Sequence, residues 1–129
     1  DLIYMEAPQE LEVELNIVTT KGQSIVDFPS HLFTSLIKYV RSLRYSDDLE
    51  KHPSVRASIG VYERSQSNAF IAGRDEATPE DIEHALVSVL AHRIRLKPSL
   101  RYLTKPKDFL QEQFSKHMAN ESGEKGEAP

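Results

Sequence analysis

Arg56 occupies a position that helix electrostatics disfavour. Pro53 biases His52 toward extended backbone and Ser54 has an N-cap side chain, so a helix is expected to begin at Ser54 with Arg56 two residues inside it. A cation there faces the positive end of the helix dipole, which costs from a few tenths to about 1 kcal/mol. An anion held against that helix end meets both the guanidinium and the free first-turn N–H groups, and phosphate suits that pair of donors. Arg56 is the candidate anion-binding residue. The alternative is a guanidinium that simply faces solvent.

Other chemistries find little support. His31, His52, His84, His92 and His117 form no HExxH or other short ligand pair. Cysteine is absent, which further weakens a zinc site and removes disulfide and thiolate chemistry. Ser58, Ser65 and Ser67 lie in the expected helix without the glycines of a nucleophile elbow. No spacing brings Glu63 together with Glu80 or Asp81 as a catalytic carboxylate pair, and Ser46-Asp47-Asp48 reads as a solvated loop.

The elements that must position Arg56 are marked by their ends. The Ser54 helix carries Val55, Ile59, Tyr62, Ala69 and Phe70 inward, with Gly60 where a neighbour can approach closely. It should stop at Gly73, the residue best suited to the left-handed position past a helix end. Thr78-Pro79-Glu80-Asp81 then supplies an N-cap, a proline whose missing N–H is harmless, and two carboxylates in the first turn. From there Ile82, Ala85, Leu86, Val89, Leu90 and Ile94 recur at three- and four-residue steps, and Arg93, Arg95 and Lys97 are expected at the C-terminal end of the helix.

Pro29 and Ser30 open an amphipathic helix with Leu32, Phe33, Leu36, Ile37, Val40 and Leu43 on one face, ending near Arg44. Residues 106–118 form a last helix with Phe109, Leu110 and Phe114 inward. Residues 10–18 alternate strictly, Leu11, Val13, Leu15 and Ile17 against Glu10, Glu12, Glu14 and Asn16, as a half-buried strand does. A turn over 19–23 and a return over 24–28 complete an expected hairpin, which must pack on other elements because a lone hairpin is marginal in water. The expected fold is mainly α: a four-helix bundle with a small N-terminal β-hairpin. It divides into linker and hairpin (1–28), helical domain (29–118) and a disordered tail (119–129) that lacks any large apolar residue.

The run SVRASIGVYERSQSNAFIAGRDEATPEDIEHALVSVLAHRI, residues 54–94, resembles the C-terminal lid of AAA+ ATPases of the MoxR and magnesium-chelatase type. That lid carries a Ser-x-Arg-Ala start, an Ala-rich helix ending in Gly-Arg-Asp, a Thr-Pro-Glu-Asp helix start and a Leu-x-His-Arg close. Here these are residues 54–57, 73–75, 78–81 and 90–93, in that order over roughly a third of the chain. The likeness extends loosely to the upstream helix ending in Arg41-Ser42-Leu43-Arg44.

The resemblance implies that Arg56 is the sensor 2 arginine, which reaches the terminal phosphates of ATP, bound with Mg2+ in the core of the same or a neighbouring subunit of a ring. It also implies remodelling or metal insertion in a partner, for MoxR-like members often a protein with a von Willebrand A domain. Arg74 and Asp75 fit a helix-corner cap with local pairing, and His92 and Arg93 fit cationic capping of a helix C-terminus.

The chain departs from the full ATPase pattern. None of Gly22, Gly60, Gly73, Gly123 and Gly126 belongs to a GxxxxGK[ST] loop, and no strand carries a magnesium-binding acid after it. With Asp1 first and Met5 the first methionine, the sequence reads as an excised lid that does not hydrolyse ATP by itself. Its 129 residues bound one domain, able to bury roughly two thirds of its unfolded surface. No apolar run or signal pattern marks a membrane segment, and the expected setting is cytoplasmic.

Charge is uneven within a net −4. Residues 1–14 hold Asp1, Glu6, Glu10, Glu12 and Glu14 with no Lys or Arg, while residues 84–107 hold Arg93, Arg95, Lys97, Arg101, Lys105 and Lys107 with no acid. The two ends can attract each other or separate partners. A different class of function, a stand-alone helical module, would hold a protein or nucleic acid on the helix at 30–44 or on the bases at 93–107 beside Tyr102.

Overall fold

The apolar stripes at three- and four-residue spacing become the buried faces of four helices. A computed structural model describes residues 11–22 and 24–127 of the chain. In order these form α1 (Leu11–Lys21), α2 (Ser30–Arg44), β1 (Leu49–Lys51), α3 (Val55–Ile71), α4 (Pro79–Leu90), β2 (Arg95–Leu96), α5 (Pro98–Arg101) and α6 (Pro106–Glu127). Leu36, Ile37 and Val40 of α2, Val61 of α3, Leu86 and Leu90 of α4 and Leu110 and Phe114 of α6 meet in one core. Tyr39 adds a polar anchor, its hydroxyl donating to the Leu110 carbonyl oxygen at 3.0 Å. Burial pushes the Tyr39 phenol well above its ordinary pKa, so it remains a donor.

Helix ends follow the local signals where those signals are complete. Gly73 takes φ 81, and the corner closes as a Schellman motif, Arg74 N–H donating to the Ala69 carbonyl at 2.9 Å and Gly73 N–H to that of Phe70 at 3.0 Å. Thr78 and Asp81 cap α4 reciprocally, each side chain accepting from the other's backbone N–H. Gly60 brings α3 close to α4: a Cβ there would sit 3.2 Å from Val89 Cγ1.

The N-terminal hairpin is not formed by the described residues, and residues 1–10 lie outside them. Residues 11–21 are helical. Helical spacing turns Glu14 and Val18 fully inward and leaves Val13 44% exposed, the reverse of the faces that alternation assigned to Glu14 and Val13. Leu and Glu are good helix formers, and a short alternating window holds a helical subset as well as a strand face, so tertiary partners decided between them. Of residues 24–28, Asp27 makes one parallel bridge to Glu76, and Gln66 Oε1 accepts from the N–H groups of Ile25 (2.7 Å) and Val26 (3.2 Å).

The two-stranded antiparallel sheet lies elsewhere, pairing β1 with β2 in the register Leu49 with Leu96 and Lys51 with Arg95. Helix α4 therefore ends at Leu90, and Arg93, Arg95 and Lys97 follow it rather than lying in its last turn. Burial of Ile94 and Leu96 against the core outweighs continuation of the helix, and Pro98 favours extended backbone at Lys97. Phe70, expected inward, is 64% exposed near the end of α3. Helix α6 runs on to Glu127, through residues whose composition predicts disorder, and residues 128–129 lie outside the description. Buried Phe109, Leu110 and Phe114 hold the first half of that helix on the core.

Gly22, just past α1, has no room for a side chain: a Cβ would meet Tyr62 Cδ2 at 2.6 Å and the Val18 carbonyl oxygen at 2.8 Å. The Tyr62 ring is held between Phe28 and Phe33, at centroid distances of 5.3 and 5.2 Å. Gly22→Ala is expected to lower stability by about 1–3 kcal/mol in urea denaturation; an unchanged midpoint would contradict this packing of α1 on α3.

Candidate functional site at the start of α3

Helix α3 starts as expected, but its start is left open. Ser54 is the N-cap, in extended geometry at φ −99 and ψ 177, yet its side chain makes no capping hydrogen bond. The first turn contains no acid. Arg56 lies there, exposed, with no hydrogen-bond or ion-pair partner among the described residues. The positive end of the helix thus carries an unpaired cation and uncapped N–H groups, which together attract an anion.

Behind this surface lies a buried charge cluster that sequence reading missed. The Glu14 carboxylate is 0% exposed. Arg44 grips it with both terminal nitrogens, Nη1 to Oε1 at 2.7 Å and Nη2 to Oε2 at 3.0 Å, and Arg41 Nη1 adds a third contact at 3.2 Å. The Ser58 hydroxyl donates to Oε2 at 2.6 Å, and Arg44 Nε donates to the Pro53 carbonyl oxygen at 3.0 Å. Burial pushes the Glu14 carboxyl up, but hydrogen bonds from Arg44 and Ser58, with the Arg44 charge and the Arg41 bond, outweigh it and hold the group below the usual carboxylate range. The paired basic ending Arg41-Ser42-Leu43-Arg44 is the available signal in the sequence; its partner is hidden because strict alternation puts Glu14 on the polar face.

At the start of α4 the charges are neutralised instead. Asp81 is buried, accepts from Thr78 and pairs with Arg74. Burial raises its pKa, and the Arg74 and Thr78 hydrogen bonds reverse the shift to a net lowering. Arg74 thus serves the helix corner, in line with its sequence context. The side chains of His92 and Arg93 are exposed and make no hydrogen bond to the end of α4 among the described residues, so the expected cationic capping is not observed there.

The structure also brings together less than the alternatives need. The apolar face of α2 is spent on the protein's own core. Of the bases between 93 and 107, Arg101 is occupied, donating to Glu50 and to the Leu96 carbonyl oxygen at 3.0 Å each. Glu14 pairs with Arg41 and Arg44, not with this stretch. Glu63 lies on α3, and Glu80 and Asp81 at the start of α4, with Asp81 committed to its cap.

A sequence model of the AAA lid domain matches residues 46–113, more than half of the 129-residue chain. The chain belongs to the AAA lid domain family. No curated protein matches it. Among solved structures the lid is similar to a crystal structure from Cytophaga hutchinsonii ATCC 33406 described as a "putative ATPase", at 21% identity and a TM-score of 0.62 over 80% of this chain. The likeness supports the fold, and the lid spans about a third of that protein, 32% of its chain. Arg56 and Ser58 lie within the matched span; Glu14, Arg41 and Arg44 lie before it. Among the described residues no helix is long and apolar enough to cross a membrane.

Two separate buried carboxylates contribute to how the lid responds to acid. Glu14 and Asp81 bind protons more weakly folded than unfolded, so the unfolded chain takes them up first as pH falls. Their contribution is complete above about pH 5 and is lost progressively below it, as pH approaches the lowered folded-state values. Glu14→Gln, which leaves Arg44 buried without its counter-charge, is expected to cost about 3 kcal/mol at pH 7 and to flatten this acid limb. Urea denaturation of both proteins between pH 7 and 3 measures both effects; parallel pH profiles would contradict the pairing.

Proposed function

We propose that this lid is the C-terminal sensor 2 domain of a MoxR or magnesium-chelatase-like AAA+ ATPase, closing over ATP held by a nucleotide-binding core. The observation that carries the reading is Arg56: an exposed guanidinium, unpaired among the described residues, on the uncapped first turn of α3, within the span that matches the AAA lid family. Arg56 would donate to the terminal phosphates, with the first-turn N–H groups adding to the local positive potential. The residues present fit a phosphate; magnesium is assigned to the core, because the first turn of α3 offers no carboxylate. Bound ATP and Mg2+ supply the bond to be cleaved and the metal that offsets its charge. The lid's own residues bind and orient.

In this reading the lid couples hydrolysis to movement against the next subunit of a ring and to remodelling or metal insertion in a partner, in MoxR-like systems one with a von Willebrand A domain. A second reading, a module holding a protein or nucleic acid on the bases at 93–107, draws support from Tyr102, 91% exposed among them. A GxxxxGK[ST] loop encoded upstream of Asp1 in the same reading frame would favour the ATPase over the module.

In the polypeptide that joins this lid to its core, Arg56→Ala is expected to lower ATP turnover by about 10²-fold or more, the scale for removing one preorganised donor from a developing charge. The same substitution should leave the circular dichroism of the lid unchanged and its melting unchanged or slightly raised, since Arg56 makes no hydrogen bond or ion pair among the described residues and opposes its helix dipole. Undiminished turnover would remove Arg56 from the chemistry.

A further inference from the structure

Among the described residues Arg56 has no hydrogen-bond or ion-pair partner to aim it, so its direction is set by the backbone of the first turn of α3. Two contacts fix that backbone, one on each side of it. Three residues before Arg56, the Pro53 carbonyl accepts from Arg44 Nε; two residues after it, the Ser58 hydroxyl donates to Glu14. Arg44 is oriented in turn by its two-point grip on the same carboxylate. Both contacts lead back to Glu14, the second directly and the first through Arg44, and Glu14 comes from α1, outside the matched family span. Local devices that commonly fix a helix start, an N-cap hydrogen bond and a first-turn acid, are missing from α3.

We infer that Glu14 is a positioning residue for Arg56: its buried carboxylate locks the start of α3 onto α1 and α2, and so determines where the guanidinium meets a terminal phosphate. The inference rests on the phosphate-binding role proposed for Arg56. It makes α1 part of the nucleotide-sensing machinery without any contact to nucleotide. A helix start free to shift by about an ångström would still bind ATP but would present Arg56 poorly to the developing charge, and displacements of that size cost up to about a hundredfold in rate.

Two measurements test this. In the polypeptide joining lid and core, Glu14→Gln is expected to lower kcat roughly ten- to a hundredfold while KM for ATP stays within about twofold, the pattern of an interaction made in the transition state alone. Adding Arg56→Ala should then cause little further loss beyond Arg56→Ala alone, because both changes remove the same interaction. In the 129-residue chain itself, Glu14→Gln should accelerate amide hydrogen exchange at residues 57–59 more than at 109–114 in α6. Ser58→Ala, which removes only the α1–α3 hydrogen bond, should reproduce both effects in smaller degree and serves if Glu14→Gln does not fold. Tyr39→Phe, which breaks a buried bond to α6, is the control for simple destabilisation.

Additive losses in the double variant, or equal acceleration of exchange in α3 and α6, would make the cluster merely structural and overturn the inference. Unchanged kcat in Glu14→Gln and Ser58→Ala, with Arg56→Ala impaired, would overturn it while leaving the role of Arg56 standing. Arg56→Ala without effect would overturn both.

Discussion

A carboxylate taken wholly out of water must be met by opposite charge and by hydrogen bonds, or the fold loses several kcal/mol. Glu14 meets that demand with Arg44, Arg41 and Ser58, drawn from two other helices, and the arrangement of α1, α2 and the start of α3 is the geometry that satisfies it. Apolar contacts alone tolerate some sliding of one helix on another. A bidentate guanidinium grip at 2.7 and 3.0 Å does not. The same guanidinium spends its Nε donor on the Pro53 carbonyl and thereby defines the corner from which α3 departs.

The two central helices treat their positive ends in opposite ways. At α4 the capping box of Thr78 and Asp81, reinforced by Arg74, satisfies the Thr78 and Asp81 N–H groups and balances charge. At α3 the cap hydroxyl is unused, the first turn has no acid and a cation is added. Such an end is electrostatically unsatisfied in isolation and becomes favourable when an anion arrives. Gly60 allows close contact of the two helices, so the capped one gives the open one a firm support.

Legibility followed the range of the interactions. The start and end of α2, the starts of α3, α4 and α6, and the left-handed Gly73 were readable because caps, prolines and glycines act within a few residues. Arg56 was readable for the same reason. Residues 11–18 are helical although their alternation also fits a strand, and the choice between the two periods depended on Arg44 and Ser58, 30 and 44 residues beyond Glu14. The β1–β2 pairing, spanning Leu49 to Leu96, left no comparable local mark, and it set the end of α4.

The sequence by itself determined that the chain is mainly helical, where most helices begin, and that one arginine stands against its helix dipole, since each depends on backbone hydrogen bonding and on partial charges within a turn. Tertiary structure alone decided that α1 is a helix, that its Glu14 is buried, and that this carboxylate anchors the start of α3. The physical reason is that a charge is stable in the interior only where distant residues supply its counter-charges, and no local pattern encodes that meeting.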